Sequence, residues 1–403
     1  MTQTPERSLY LDYLRTALIL LIVLDHASVA YTSAAQLNFF SCKDSIWFIA
    51  DPNAVHDLLR GIRAFRIPFA IPLLFFISGL FMDAGIGKYG IAGYMRRRLV
   101  RIGIPLLIIA FVLSPLTHYL PCILTWRKVD PTHFFFNEFF RGRWYIVHGW
   151  FLWMLLVFES IAVMCRAFLG QTLKGIGRTV IRIAMEKPSR IYAFLFACSY
   201  VGYTVGVALI NSRFAIHWEV LSGPFFFLER MYLVDFSFFL LGVILGQSYG
   251  TEQFKKIEEA MFASPFKWVS ISCVVLLATA LLPVPETRSF FTLLYDPLLH
   301  LNLMTAPALC VTLSLASLSV FRKYVNVRSA FLQSLSRASY TIYIFHLIIC
   351  VWTEYLLLSL NISAYLKLGI SFVTAVLAGW ALYRLKQNVI ASARHKRKKR
   401  RPS

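Results

Sequence analysis

Apolar stretches of membrane length recur along the chain, separated by short polar segments. Crossing about 30 Å of hydrocarbon takes about 20 apolar residues in a helix. Ten stretches meet that pattern, at 10–31, 67–84, 102–120, 145–165, 191–211, 231–249, 268–285, 297–320, 339–358 and 365–385. Helices are expected throughout, because in lipid each backbone N–H and C=O must find its partner within the segment. Pro68 and Pro72 predict that the second helix is kinked or starts late, and Pro307 lies inside the eighth. The "GIP" at 103–105 predicts a stop or bend before the third. The longest polar segments are 32–66 and 121–144. With no internal repeat and no second soluble domain, the expected fold is an all-α polytopic membrane bundle of about ten helices. It forms one domain over 1–386, followed by a basic tail over 387–403.

Composition agrees. Hydrophobic residues are 58 % and charged residues 15 %, whereas soluble domains average about 45–50 % and about 25 %. The net charge of +21 would suggest nucleic acid in a soluble chain, but no basic–aromatic binding module is present, so no nucleic-acid partner is expected. The basic residues instead gather in alternate segments: "RRRLVR" at 96–101, a loop at 166–190, Lys255, Lys256, Lys267, Arg322, Lys323, Arg328, Arg337 and the tail. The positive-inside rule then puts both termini in the cytoplasm, and the tail reads as an anchor to anionic lipid. A multi-pass protein of the cell's inner (plasma) membrane is expected, with the lipid bilayer as partner. The first apolar stretch is too long for a cleavable signal, and no small-x-small site follows it. The seven cysteines are scattered without metal-ligand spacing, so no metal is expected. Cys42 and Cys122 both fall outside, which leaves a disulfide between them open.

The first span, "YLDYLRTALILLIVLDHASVAY", breaks the apolar pattern with Asp12, Arg15, Asp25 and His26. Asp12, Arg15 and His26 share one helical face, and Arg15 to His26 is a rise of about 16 Å. Arg15 could simply snorkel to the cytoplasmic boundary beside Asp12. His26 lies deeper, towards the outer side, and ionisable residues inside spans usually serve function. A histidine there can act as general base on a hydroxyl. His118, His148, His217, His300, Glu219, Asp235 and Glu286 fall at outer ends of spans, where they are surface groups or a polar acceptor pocket. His346 falls in the inner half of the ninth span, as a packing histidine or a site residue. Arg96, Arg97, Arg98 and Arg101 at the inner face are ordinary topology signals or a phosphate-binding group.

"LDYLRTALILLIVLDH", "LLFFISGLFM", "YMRRRLVRIGIPLL", "VHGWFLWMLLVF" and "SRASYTIYIFHLII" occur in that order from residue 9 to about 350. In this set the chain resembles the membrane acyltransferase-3 family, most closely its glucan-biosynthesis branch. The resemblance implies an integral enzyme that moves an acyl group from cytoplasmic acyl-coenzyme A (acetyl-CoA or succinyl-CoA) to a hydroxyl of an extracytoplasmic carbohydrate. It implies catalytic His26 with Arg15, and coenzyme contacts at Arg96, Arg97 and Arg98, with Arg101 nearby. It further implies substrate contacts at His148, Trp150 and His346. Asp12 and Asp25 join the catalytic group by position on the first span, although Asp25 is not a residue the family pattern demands, and Gly149 stands where the family more often has leucine. Arg141, Arg143, Arg213 and Arg230 are candidates to hold a succinyl carboxylate. Two other readings remain: a secondary transporter or exporter, which also needs intramembrane charge, and a scaffold in envelope assembly. Neither the acyl group, the acceptor nor the oligomeric state is legible.

Overall fold

In a computed structural model of the chain, the described residues are 8–32, 49–126, 130–141, 144, 146–209, 218–222, 225–229, 231–282 and 297–399. Helices dominate: α1 (Leu9–Val29), α2 (Arg60–Arg66), α3 (Ala70–Leu80), α4 (Met82–Arg98), α5 (Ser114–Trp126), α6 (Trp150–Glu186), α7 (Pro188–Leu209), α8 (Tyr232–Gly246), α9 (Glu252–Phe262), α10 (Pro265–Leu281), α11 (Pro297–Tyr324), α12 (Ala330–Leu357) and α13 (Ala364–Lys399). The all-α expectation holds, with an antiparallel hairpin, β1 (Trp218–Ser222) with β2 (Phe226–Glu229), between α7 and α8.

Among the described residues, seven helical runs are long and apolar enough to cross a membrane, and eight if the bent pair α9–α10 counts as one. α8 is apolar but has only 15 residues. Any 18-residue stretch of α1 contains Asp12, Arg15 and Asp25 together. Among the described residues, each of the ten stretches expected from sequence nevertheless falls mostly on helix.

Two local expectations are revised and a third holds. The "GIP" does not stop the chain. The helix continues from Met82 to Leu124, through π-helical turns at Leu99–Gly103 and Ile109–Leu113 that flank Ile104–Ile108. A π turn absorbs the donor that proline removes by shifting the hydrogen-bond pattern one residue. The basic segment 166–190 is mostly not a loop, because α6 runs on to Glu186 past a kink at Leu169. Pro68 and Pro72 do delay the next helix, which starts at Ala70.

The chain forms two compact units. The first comprises Met1–Arg15, Arg66–Leu106 and Trp150–Val327. Within it α3 and α8 touch backbone to backbone. A Cβ on Gly79 would strike the carbonyl oxygen of Phe239, one on Gly242 that of Phe76, and one on Gly246 that of Leu80. Small residues allow this approach, which apolar helices need where lipid supplies no hydrophobic drive. Gly242→Leu is therefore expected to force the helices apart at a cost of at least about 1–3 kcal/mol, seen as a lower melting temperature in detergent. Polar ties complete this unit: the Tyr10 hydroxyl donates to Glu258 at 2.5 Å, and Arg322 lies 4.0 Å from the same carboxylate. Arg166 of α6 pairs with Asp83 of α4.

The second unit comprises Thr16–Phe65, Leu107–Gly149 and Arg328–Ser403. Its core joins Val23, Ala27, Ala30 and Tyr31 at the end of α1 with Ala338, Ile342 and Cys350 of α12 and Leu368 and Ala375 of α13. α12 and α13 come close at Gly379, where a Cβ would lie 2.8 Å from the Ile342 Cα. The segment after α1 is pinned by Asp51 N–H donating to the Ala30 carbonyl and His56 N–H to that of Tyr31. A buried ion pair, Asp51 with Lys367 at 2.5 Å, holds it to α13. Cys122, Phe134 and Phe139 anchor a separate cluster with Tyr119, Phe135, Phe140 and Trp144. Cys122 is disulfide-bonded, and Cys42, which the sequence left open as its partner, lies outside the described residues. Cys165, Cys198, Cys273, Cys310 and Cys350 are free thiols.

Candidate active site

Three histidines meet inside the second unit, each from a different segment. His26, on α1, places Nδ1 2.8 Å from Nε2 of His346 on α12. The ring centroids are 5.1 Å apart and the planes differ by 7°. Such rings share a plane and meet nitrogen to nitrogen, as an in-plane hydrogen bond requires, and do not lie face on face. His346 is fully buried, and its Nδ1 lies 2.7 Å from the carbonyl of Tyr343, one turn earlier in α12.

His148 enters from the short turn Val147–Gly149 that precedes α6. Val147 takes φ 45° there, a left-handed conformation that a β-branched residue adopts only under constraint. The constraint is visible. The His148 Nε2–H donates to the Ile344 carbonyl at 3.0 Å, and the Tyr343 hydroxyl donates back to the His148 carbonyl. The His148 ring meets that of His346 edge-on, with centroids 4.8 Å apart. Its Nδ1 is buried without a hydrogen-bond partner, so it remains an acceptor.

His346 was expected in the inner half of its span and His26 towards the outer side. Their contact overturns that separation: both rings lie at one level. Asp25 adjoins His26 in sequence but turns about 100° away around the helix. Its fully buried carboxylate faces Arg63 at 4.0 Å. Asp12 and Arg15, in the first unit, pair with each other at 3.4 Å with Arg15 a third exposed.

The arginines divide. The Arg98 Nε–H donates to Glu159 at 2.8 Å and a second N–H reaches the other carboxylate oxygen, so Arg98 is a forked partner of a fully buried acid on α6. Arg97 lies over the Tyr89 ring, 3.9 Å from its centroid. Arg96, Arg97 and Arg101 are exposed. Trp150 starts α6 and is half-buried in the first unit.

Sequence reasoning missed Tyr343 and Glu159. Glu159 carried a usable signal, since an acid within an apolar span needs a basic partner. The Tyr343 contact is tertiary and left no such mark. Of the other outer-end candidates, His118 is satisfied inside its own helix, with Nδ1 2.8 Å from the Ser114 carbonyl and its ring on Phe139. Asp235 is fully buried in α8. His217 and Glu286, and the side chains of Glu219 and His300, lie outside the described residues, as do Arg143, Arg213 and Arg230. Arg141 is exposed. Among the described residues no three His, Cys, Asp or Glu side chains are grouped so as to hold a metal ion.

A family model described as an acyltransferase domain matches residues 8–384. Glucans biosynthesis protein C of Escherichia coli strain K12 is 26 % identical over 243 residues, which is 59 % of this chain and 58 % of the relative. The protein of the same name from Escherichia coli O157:H7 matches to the same extent. The match thus covers a little over half the length of these relatives. No solved structure matches.

Proposed function

The chain belongs to the acyltransferase-3 family, and from that premise we propose that it transfers an acyl group, acetyl or succinyl, from cytoplasmic acyl-coenzyme A to a hydroxyl of a carbohydrate outside the inner membrane. The observation that carries the reading is the His26–His346 contact at 2.8 Å, with His148 beside it. Imidazoles held in this way are suited to take a proton from one group and return it to another. The relatives named for glucan biosynthesis support a glucan as the acceptor.

In this reading α1, α3, the α4–α5 run, α6, α7, α8, the α9–α10 pair, α11, α12 and α13 are ten spans of one membrane domain over 1–386. Both termini are cytoplasmic, and 387–403 is the basic tail. The coenzyme's phosphates meet Arg96, Arg97 and Arg101. Arg98, already forked onto Glu159, shapes that surface and does not grip phosphate itself. His26 is the base, His148 and Trp150 contact the acceptor, and Asp25 and the Asp12–Arg15 pair set the environment of α1. The sugar hydroxyl gives its proton to His26 as its oxygen attacks the thioester carbonyl. The carbon–sulfur bond then breaks, and the proton passes to the leaving sulfur, releasing coenzyme A as its thiol. No net proton is consumed.

The test is free-thiol release by purified, reconstituted protein given acetyl- and succinyl-coenzyme A separately, with and without envelope glycans. Release that requires glycan is the expected result, and the preferred thioester names the acyl group. Intact thioester in all arms, from folded protein, would favour a transporter over an enzyme.

A further inference from the structure

We infer that His346 is a positioning residue that fixes the tautomer of His26 by accepting the proton on its Nδ1. The inference rests on the acyl-transfer reading only for its consequence, since the tautomer itself follows from hydrogen-bond bookkeeping. A carbonyl oxygen can only accept. The Tyr343 carbonyl, 2.7 Å from His346 Nδ1, therefore requires the proton of that ring to sit on Nδ1. A neutral His346 then offers a lone pair at Nε2. The ring is fully buried beside two further imidazoles, and its neutral form is the one this setting accommodates. Across the 2.8 Å contact the donor must be Nδ1–H of His26. A neutral His26 that carries its proton on Nδ1 holds its lone pair on Nε2.

The backbone of α12 thus dictates, through one imidazole, which nitrogen of a second can act as base. In serine hydrolases a carboxylate performs this orienting task on the histidine. Here a neutral ring does so, and the orienting group itself adds no charge beside the reacting groups. The proton received from the hydroxyl goes onto Nε2, and the same nitrogen hands it to the thiolate, while Nδ1–H stays with His346 throughout. His148 is held by the same stretch of α12, through Tyr343 and Ile344. One helical turn therefore orders both neighbouring rings.

Two measurements decide the matter. The first needs no turnover: nitrogen-15 spectra of histidine-labelled wild-type protein in detergent, with the His26 signals assigned by their loss in His26→Ala. The expected neutral form carries its proton on Nδ1. A proton on Nε2 overturns the inference, whether or not the protein proves to be an acyltransferase. The second compares three substitutions. In His346→Gln the amide oxygen reaches the place of Nε2 and can accept from His26. His346→Asn reaches only the place of Nδ1, and His346→Leu fills the volume without any acceptor. Gln is expected to keep kcat within about tenfold of wild type, while Asn and Leu lose about 100-fold, the lower end of a general-base contribution, with KM for the thioester unchanged. Leu equal to or better than Gln would mean that His346 only packs, and would overturn the role assigned to it.

Discussion

His26→Ala is expected to lower acyl transfer by about 10²–10⁴-fold, the usual worth of a positioned general base. The residual rate would come from holding donor and acceptor together. Thiol release in parallel reactions of wild type and variant measures it. The fall should be in kcat, because an alcohol proton is transferred in the transition state and His26 is not needed to bind the coenzyme's phosphates. The fold should survive. His26 is half-buried, and the contacts that seat α1, through Leu18, Ile22, Val23 and Ala27, are untouched. Loss of the ring leaves the buried His346 Nε2 without its donor, a penalty of about 1–3 kcal/mol, which a melting curve in detergent should register as a modest shift. A His26→Ala protein that transfers at the wild-type rate would remove the proposed mechanism altogether.

Lys367→Met is expected to destabilise the protein by about 3–5 kcal/mol, the cost of leaving one partner of a buried ion pair uncompensated. Lys367 and Asp51 are 1 % and 2 % exposed, and their contact of 2.5 Å ties the segment following α1 to α13. Asp51 does more than bear charge: its carboxylate also accepts from the Asn53 N–H at 3.1 Å, while its own N–H caps the Ala30 carbonyl. Loss of Lys367 should therefore loosen that segment as well as lower the melting temperature. The double variant Asp51→Asn with Lys367→Met removes both charges and should recover most of the loss, because a buried pair costs nearly as much desolvation as it returns in attraction. If the single and double variants melt alike, the pair contributes packing and not charge compensation.

The helices were the most legible part of the chain, since lipid length and apolar content are local properties. Among the described residues, each of the ten expected stretches lies mostly on helix, including charged α1 and the short α8. Boundaries were less legible. The proline at 105 reads as a stop, yet π turns on either side of Ile104–Ile108 carry the helix past it, a choice that depends on what packs around the turn. The hairpin of β1 and β2 lacked a signal strong enough to stand out beside the long apolar runs.

For the site, the identity of the polar residues could be read and their pairing could not. His26 and His346 are 320 residues apart and Asp51 and Lys367 316, and no periodicity reports on contacts at that separation. His26 and His346 were assigned different depths along the membrane normal, and their contact at 2.8 Å removes that difference. Arg98 has a partner that its sequence context did not assign to it. Read as part of a phosphate-binding run, it is committed to Glu159, and the acid that claims it sat in plain view within an apolar segment.

α13 has 36 residues, which at about 1.5 Å per residue makes a rod of about 54 Å. If α13 crosses hydrocarbon about 30 Å thick, as the proposed topology has it, roughly 24 Å of helix stands clear of it. A reporter fused behind Lys399 would ride on a stiff mast and not a tether. Its distance from the lipid, and its orientation relative to α12, would be set by helical phase, so adding one or two residues before the fusion would swing it around the axis by about 100° each without bringing it nearer to the bilayer.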